Sequence, residues 1–213
     1  MKNYLTEFIG TFFLVLTIGL AVLSETPLAP LAIGSALMVM VYMGGHVSGA
    51  HYNPAVTLAV VMRGKLPAKE LLPYWISQIL GALVASFVVN LMLGKTFAPA
   101  PGPGVGAMAA LLGELLFTFA LALVVLNVAT ARATAGNSYY GLAIGFTVLT
   151  GAWAAGPVSG GAFNPAVGTG PIIIQAMHGG PGIGDLWLYW VGPLLGAVLA
   201  ALVFRMQHGV EAD

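Results

Sequence analysis

Gly-His-Val-Ser-Gly-Ala-His-Tyr-Asn-Pro-Ala-Val, from Gly45 to Val56, returns as Gly-Pro-Val-Ser-Gly-Gly-Ala-Phe-Asn-Pro-Ala-Val, from Gly156 to Val167. The two phrases lie in opposite halves of a 213-residue chain. Each ends in a helix-start signal. Asparagine is a favoured N-cap, and proline suits the first helical position, where its missing N–H would be unpaired anyway. Asn53-Pro54-Ala55 and Asn164-Pro165-Ala166 therefore each open a helix. A run such as 53–62 is about 15 Å long at about 1.5 Å per residue, half the hydrocarbon thickness of a bilayer. Two such half-helices, entering from opposite sides and meeting N-terminus to N-terminus, make the centre of a selective pore.

Composition places the chain in lipid. Hydrophobic residues make up 59% and charged residues 7%, whereas a soluble domain carries about 25% charge. A net charge of zero offers no basic surface to nucleic acid. With no cysteine, disulfides and thiolate metal sites are excluded. His46, His51, His178 and His208 show no zinc-ligand spacing. No nucleophile, metal cluster or carboxylate pair converges, so neither an enzyme nor a cofactor is expected.

A spanning helix needs about 20 apolar residues, and six stretches qualify: roughly 4–24, 30–47, 67–93, 106–129, 138–157 and 184–205. The first is read as a retained helix rather than a signal peptide, because Glu7 interrupts it and no small-residue cleavage site follows. Segments 48–63 and 159–177 are too short and too rich in glycine and proline to cross. The repeat extends beyond the two phrases. Glu7, Thr11 and Phe12 correspond to Glu114, Thr118 and Phe119, and Tyr74-Trp75 with Gly81-Ala82 to Tyr189-Trp190 with Gly196-Ala197. Each half thus holds three spans and one short segment, so the second half enters the membrane inverted. The expected fold is an all-α membrane protein with six transmembrane helices and two re-entrant half-helices. It forms a single channel domain over 1–213, with halves of about 1–104 and 105–213.

The asparagines supply the chemistry at the centre. The side-chain oxygen caps the helix, which leaves the N–H₂ donors facing the lumen. The preceding stretches, Gly49–Tyr52 and Gly160–Phe163, are expected to be extended, with carbonyls at Gly49, Ala50, His51, Gly160 and Ala162 lining the path. Non-helical backbone at this depth is tolerated where it is buried in protein or lines a wet cavity. Water or a small neutral solute would satisfy those carbonyls. Each half-helix presents roughly half a positive charge at its N-terminus, which opposes cations.

The paired Ser-Gly-x-x-x-Asn-Pro-Ala phrases, the Glu-x-x-x-Thr-Phe starts of spans one and four, and the final Tyr-Trp-Val-Gly-Pro resemble the major intrinsic protein family, the aquaporins and glycerol facilitators. The resemblance covers essentially the whole chain. It implies a right-handed six-helix bundle, usually a homotetramer with one pore per subunit, and passive movement of water or small uncharged solutes. One departure matters most. The family usually carries an arginine directly after the second Asn-Pro-Ala, and here that position is Val167. The other three constriction positions fall on Ile33, Ala152 and Gly161. The resemblance therefore implies a wide, apolar outer filter. Gly168 stands where glycerol facilitators often carry aspartate, so the chain also departs from that branch.

Two readings stand for Glu7 and Glu114: proton relay, or the bracing of the half-helix loops that the family's glutamates provide. His46 could serve packing or gating. Gly141-x-x-x-Gly145 and Gly192-x-x-x-Gly196 are close-packing signatures, and 97–104 is an uncharged external connector. A broad pore for water and small neutral solutes is the leading reading. A strict water channel and a non-conducting membrane protein of the same fold are the alternatives. Charge sets the orientation: Lys2, Arg63, Lys65, Lys69, Arg132 and Arg205 fall on one side and Lys95 on the other. By the positive-inside rule both termini are cytoplasmic, and the expected location is the cell (inner) membrane. Single cysteines placed at Lys65, Arg132 and Glu211 should react with impermeant thiol reagents only from the cytoplasmic side, and one at Lys95 only from outside. Labelling of Lys65 and Lys95 from the same side would remove the inverted repeat.

Overall fold

The computed structural model describes residues 1–209, so Glu211 lies outside the described residues. Eight α-helices account for most of the chain: α1 Lys2–Leu23, α2 Ala29–Ser48, α3 Pro54–Arg63, α4 Leu71–Leu93, α5 Ala107–Thr130, α6 Tyr140–Ser159, α7 Pro165–Met177 and α8 Leu188–His208. Six are long and apolar enough to cross a bilayer, and α3 and α7 are the two half-length helices. The described residues contain no strand. Three boundaries differ from the expected ones by three residues or more. A 3-10 turn at Ala68–Glu70 precedes α4, because Pro67 starts the turn in an extended conformation. The last helix begins later, after turns at Gly179 and Gly182, and runs past Arg205 to His208. That final turn is held by contacts outside its own helix. Arg205 donates to the Met62 carbonyl, and His208 Nε2 lies 2.8 Å from Asn127 Oδ1.

Helix pairing repeats itself across the two halves. The α1–α4 and α1–α2 contacts have counterparts in α5–α8 and α5–α6. The half-helices cross over: α3 packs on α8, and α7 packs on α4. Each half therefore closes the other. Outward faces are apolar, as on α4, where Leu72, Ile76, Leu80, Val84, Phe87 and Leu91 are exposed. Polar groups sit inside instead, with Glu7, Gln78, Glu114 and Thr57 fully buried. This inside-out distribution is what a bilayer solvent favours, because acyl chains accept apolar side chains and offer polar groups no partner.

Glycines bring the helices together at matched places. A Cβ on Gly81 would lie 2.5 Å from the Phe8 carbonyl oxygen of α1, and one on Gly196 would lie 2.4 Å from the Leu115 carbonyl oxygen of α5. Both glycine motifs found in the sequence lie at crossings, Gly141 and Gly145 against α2, Gly192 and Gly196 against α5. Any side chain at Gly196 must push α8 off α5. Overpacking of this kind costs about 1–3 kcal/mol. Gly196→Leu should accordingly lower the thermal unfolding temperature in detergent by several degrees or prevent folding. Gly184→Ala, with nothing within 4 Å of the added carbon, should leave that temperature unchanged.

Candidate functional site

The two asparagines cap their helices and also bind each other's loops. Asn53 is extended, at φ −156° and ψ 121°, and its Oδ1 accepts from the Ala55 N–H at 2.8 Å. Asn164 does the same from φ −160°, accepting from the Ala166 N–H at 2.9 Å. Their amide groups then cross the two halves. Asn53 Nδ2 donates to the Phe163 carbonyl and Asn164 Nδ2 to the Tyr52 carbonyl, each at 2.8 Å. An amide nitrogen carries two N–H groups, so each asparagine has at most one left over, not the two expected from sequence. Pro54, Ala55, Pro165 and Ala166 are buried behind the asparagines, off the cavity wall.

The loops before the caps are not extended as expected. Gly49, Ala50 and Tyr52 take positive φ (89°, 52° and 51°), as do Gly160, Gly161 and Phe163 (87°, 65° and 49°). The reason lies in the glutamates. Glu7 Oε1 accepts from the His51 N–H at 2.9 Å and the Ser48 hydroxyl at 2.7 Å, and its Oε2 accepts from the Tyr52 N–H at 2.7 Å. Glu114 repeats the pattern with Ala162 N–H, Ser159 hydroxyl and Phe163 N–H at 3.0, 2.8 and 2.6 Å. Turning successive N–H groups toward one carboxylate forces the chain into left-handed residues. Left-handed backbone at Ala50, Tyr52 and Phe163 costs on the order of 1–3 kcal/mol each, which the hydrogen bonds to the glutamates offset. Neither glutamate lines the cavity.

Several anchors went unread in the sequence. The Tyr74 hydroxyl donates to the Ser48 carbonyl at 2.8 Å, and the Tyr189 hydroxyl to the Ser159 carbonyl at 2.7 Å. Trp75 Nε1 donates to the Pro54 carbonyl and Trp190 Nε1 to Thr169 Oγ1, each at 3.0 Å. The repeated Tyr-Trp pair was the available signal. Gln78 and Thr57 belong to the first half alone. Gln78 Nε2 donates to Glu7 Oε2 at 2.8 Å and to Thr57 Oγ1 at 2.9 Å, while His51 Nδ1 lies 3.2 Å from the same hydroxyl. No periodicity marks these two positions, because they meet only when α3 and α4 pack.

A cavity of about 530 Å³ runs from the connector between α4 and α5 to the asparagines. Ile33, Ala152, Gly161 and Val167, far apart in sequence, all lie on its wall, together with Ala50, His51, Gly160, Ala162, Asn53 and Asn164. Gly49 does not: it caps α2, donating its N–H to the Gly45 carbonyl, and sits off the wall. Among the described residues no charged side chain lines the cavity. The connector does more than link helices, since residues 97–103 form part of the wall. It is tied down by the Gly102 N–H, which donates to the Val158 carbonyl at 3.0 Å, and by buried Phe97. His46 is exposed at the end of α2 and is not on the wall. No cluster of three or more metal-ligating side chains occurs among the described residues.

Sequence and fold are both similar to those of known proteins. Residues 1–204 match the family model described as Major intrinsic protein. Aquaporin NIP1-1 of Zea mays is 38% identical over 97% of this chain and 74% of its own length. Glycerol uptake facilitator protein-like 6 of Lactiplantibacillus plantarum is 37% identical over 97% of this chain and 98% of its own. The X-ray structure of the aquaglyceroporin from Plasmodium falciparum shares the fold, with a TM-score of 0.84 over 98% of this chain and 96% of that one at 23% identity. The chain thus belongs to the major intrinsic protein family, and it is an integral membrane protein and a passive transmembrane channel, not an enzyme.

Proposed function

We propose that this channel conducts water and small uncharged solutes through an unusually wide, apolar outer filter formed by Ile33, Ala152, Gly161 and Val167. One observation carries the reading: all four lie on a single cavity wall, and none has a polar side chain. The pore centre is the pair of Asn-Pro-Ala segments, Asn53–Ala55 and Asn164–Ala166. Each asparagine offers the passing solute its remaining N–H. The carbonyls of Ala50, His51, Gly160 and Ala162 receive no hydrogen bond from protein among the described residues, which suits acceptors that serve a moving file of solute. Glu7 and Glu114 brace the loops rather than relay protons, because their oxygens already hold three or more donors away from the cavity. The whole chain acts as one channel domain of two inverted halves, 1–104 and 105–213. It assembles as a homotetramer, with both termini on the cytoplasmic side of the cell (inner) membrane.

With no filter arginine, cation rejection rests on the half-helix N-termini, each equivalent to roughly half a positive charge. Asn53→Asp and Asn164→Asp keep the capping oxygen while removing an amide donor and adding a negative charge at this barrier. Both variants should leak cations above the wild-type level in voltage-clamped bilayers. A cation conductance no higher than wild type in both would place the barrier elsewhere.

Val167→Arg tests the filter itself. A guanidinium there would add a fixed charge and up to five N–H donors and fill much of the lumen. Glycerol and urea flux into proteoliposomes should fall roughly tenfold, the effect of about 1.4 kcal/mol on a barrier, with a smaller loss of water flux. If the wild-type protein passes water quickly and excludes both solutes, the strict water channel replaces the wide filter.

A further inference from the structure

We infer that among neutral solutes of equal size the channel favours the one carrying a methyl group over the one carrying an amino or hydroxyl group in its place. The inference rests on the wide filter proposed above and adds the chemistry by which that filter discriminates. The outer half of the cavity wall includes Ile18, Val22, Pro30, Ile33, Phe97 and Val167, none with a side-chain donor or acceptor. Among the described residues, polar side chains occur on the wall only at the floor, as His51, Tyr52, Asn53 and Asn164. The Tyr52 hydroxyl is already engaged, donating to the Met40 carbonyl at 2.9 Å. At the ring, the Gly161 N–H is taken as well, donating to Ser159 Oγ at 3.2 Å. What remains for a solute in the ring is the carbonyl edge of Gly160 and Gly161, which receives no hydrogen bond from protein among the described residues.

The ring is therefore one-sided. A solute can donate along the carbonyl edge, but a polar group turned toward Ile33, Ala152 or Val167 gives up its water and finds no partner. A methyl group turned the same way leaves water favourably. Two solute pairs separate this effect from size. Acetamide differs from urea by one methyl in place of an amino group. Butane-1,2-diol differs from glycerol by one methyl in place of a hydroxyl group. A filter that sorted by diameter alone would treat acetamide and urea alike.

The test uses the full chain in proteoliposomes, with flux read by stopped-flow light scattering and protein-free vesicles of the same lipid subtracted. Channel-mediated permeability to acetamide should exceed that to urea by roughly tenfold, the expected effect of one unmade hydrogen bond, and butane-1,2-diol should exceed glycerol. Val167→Thr keeps the shape and replaces a methyl with a hydroxyl. It should lower the acetamide-to-urea ratio several-fold, and Ala152→Ser should do the same from another part of the ring. Melting curves and elution profiles report which variants fold, and if neither does, the wild-type ratio decides alone. A subtracted wild-type ratio at or below one overturns the inference, as does a ratio unmoved in both folded variants. Equal passage of urea and acetamide overturns it while leaving the wide pore in place. Exclusion of both with fast water flux removes the wide pore, and the inference with it.

Discussion

A chain that leaves the helix inside a bilayer must find acceptors for its freed N–H groups, since lipid offers none and each unmet group costs several kcal/mol. Glu7 and Glu114 meet that demand. Each collects two successive loop N–H groups and a serine hydroxyl on one buried carboxylate. The serine hydroxyl then accepts from the N–H two residues on, at Ala50 and Gly161. With the loop donors taken by the glutamates, the carbonyls of Ala50, His51, Gly160 and Ala162 are left without a backbone partner among the described residues. In the function proposed above, the polar lining of the path would follow from where the carboxylates sit.

The two halves depend on each other at the same depth. Each asparagine caps its own helix and binds the opposite loop through its amide, so neither half-helix holds its position alone. Crossed packing of α3 on α8 and α7 on α4 extends the dependence to the long helices. Glycines at Gly81 and Gly196 let the backbones approach closely enough for the glutamates of α1 and α5 to reach the loops. The halves are not identical in wiring. Gln78, Thr57 and His51 add a polar network to the first half, while the second half has Pro193, Gly168 and Ala162 at the matching places. The half carrying Asn53 is thus the more firmly cross-linked by side chains.

Farther out, the polar logic stops. The connector over 97–103 folds onto the cavity and extends its apolar wall, with Phe97 packed against Gly19. In the function proposed above, an apolar mouth above a polar centre would place discrimination by polarity at the filter residues and discrimination by charge at the half-helix ends. Those two tasks would fall to different elements: side chains of α2, α6 and α7 for the first, backbone dipoles of α3 and α7 for the second.

Much of this was present in the sequence. The six spans, the two half-helices and their opposed entry follow from apolar run length, from Asn-Pro at a helix start, and from three spans per repeat, all of which are local or countable properties. The glutamates and the Tyr-Trp pairs were visible as repeat markers, but their partners were not, because Glu7 meets Ser48, His51 and Tyr52 only when α1 lies against the loop after α2. Tertiary structure also decided the left-handed loop, the binding of each asparagine's amide to the opposite half, the place of Gly49 off the wall and of the connector on it, and the extension of α8 to His208. Each of these is set by a hydrogen-bond partner or a neighbouring helix tens of residues away. Periodicity and capping chemistry report only what a residue does to its own segment, so the sequence determined the elements and the tertiary contacts determined how their backbones share donors.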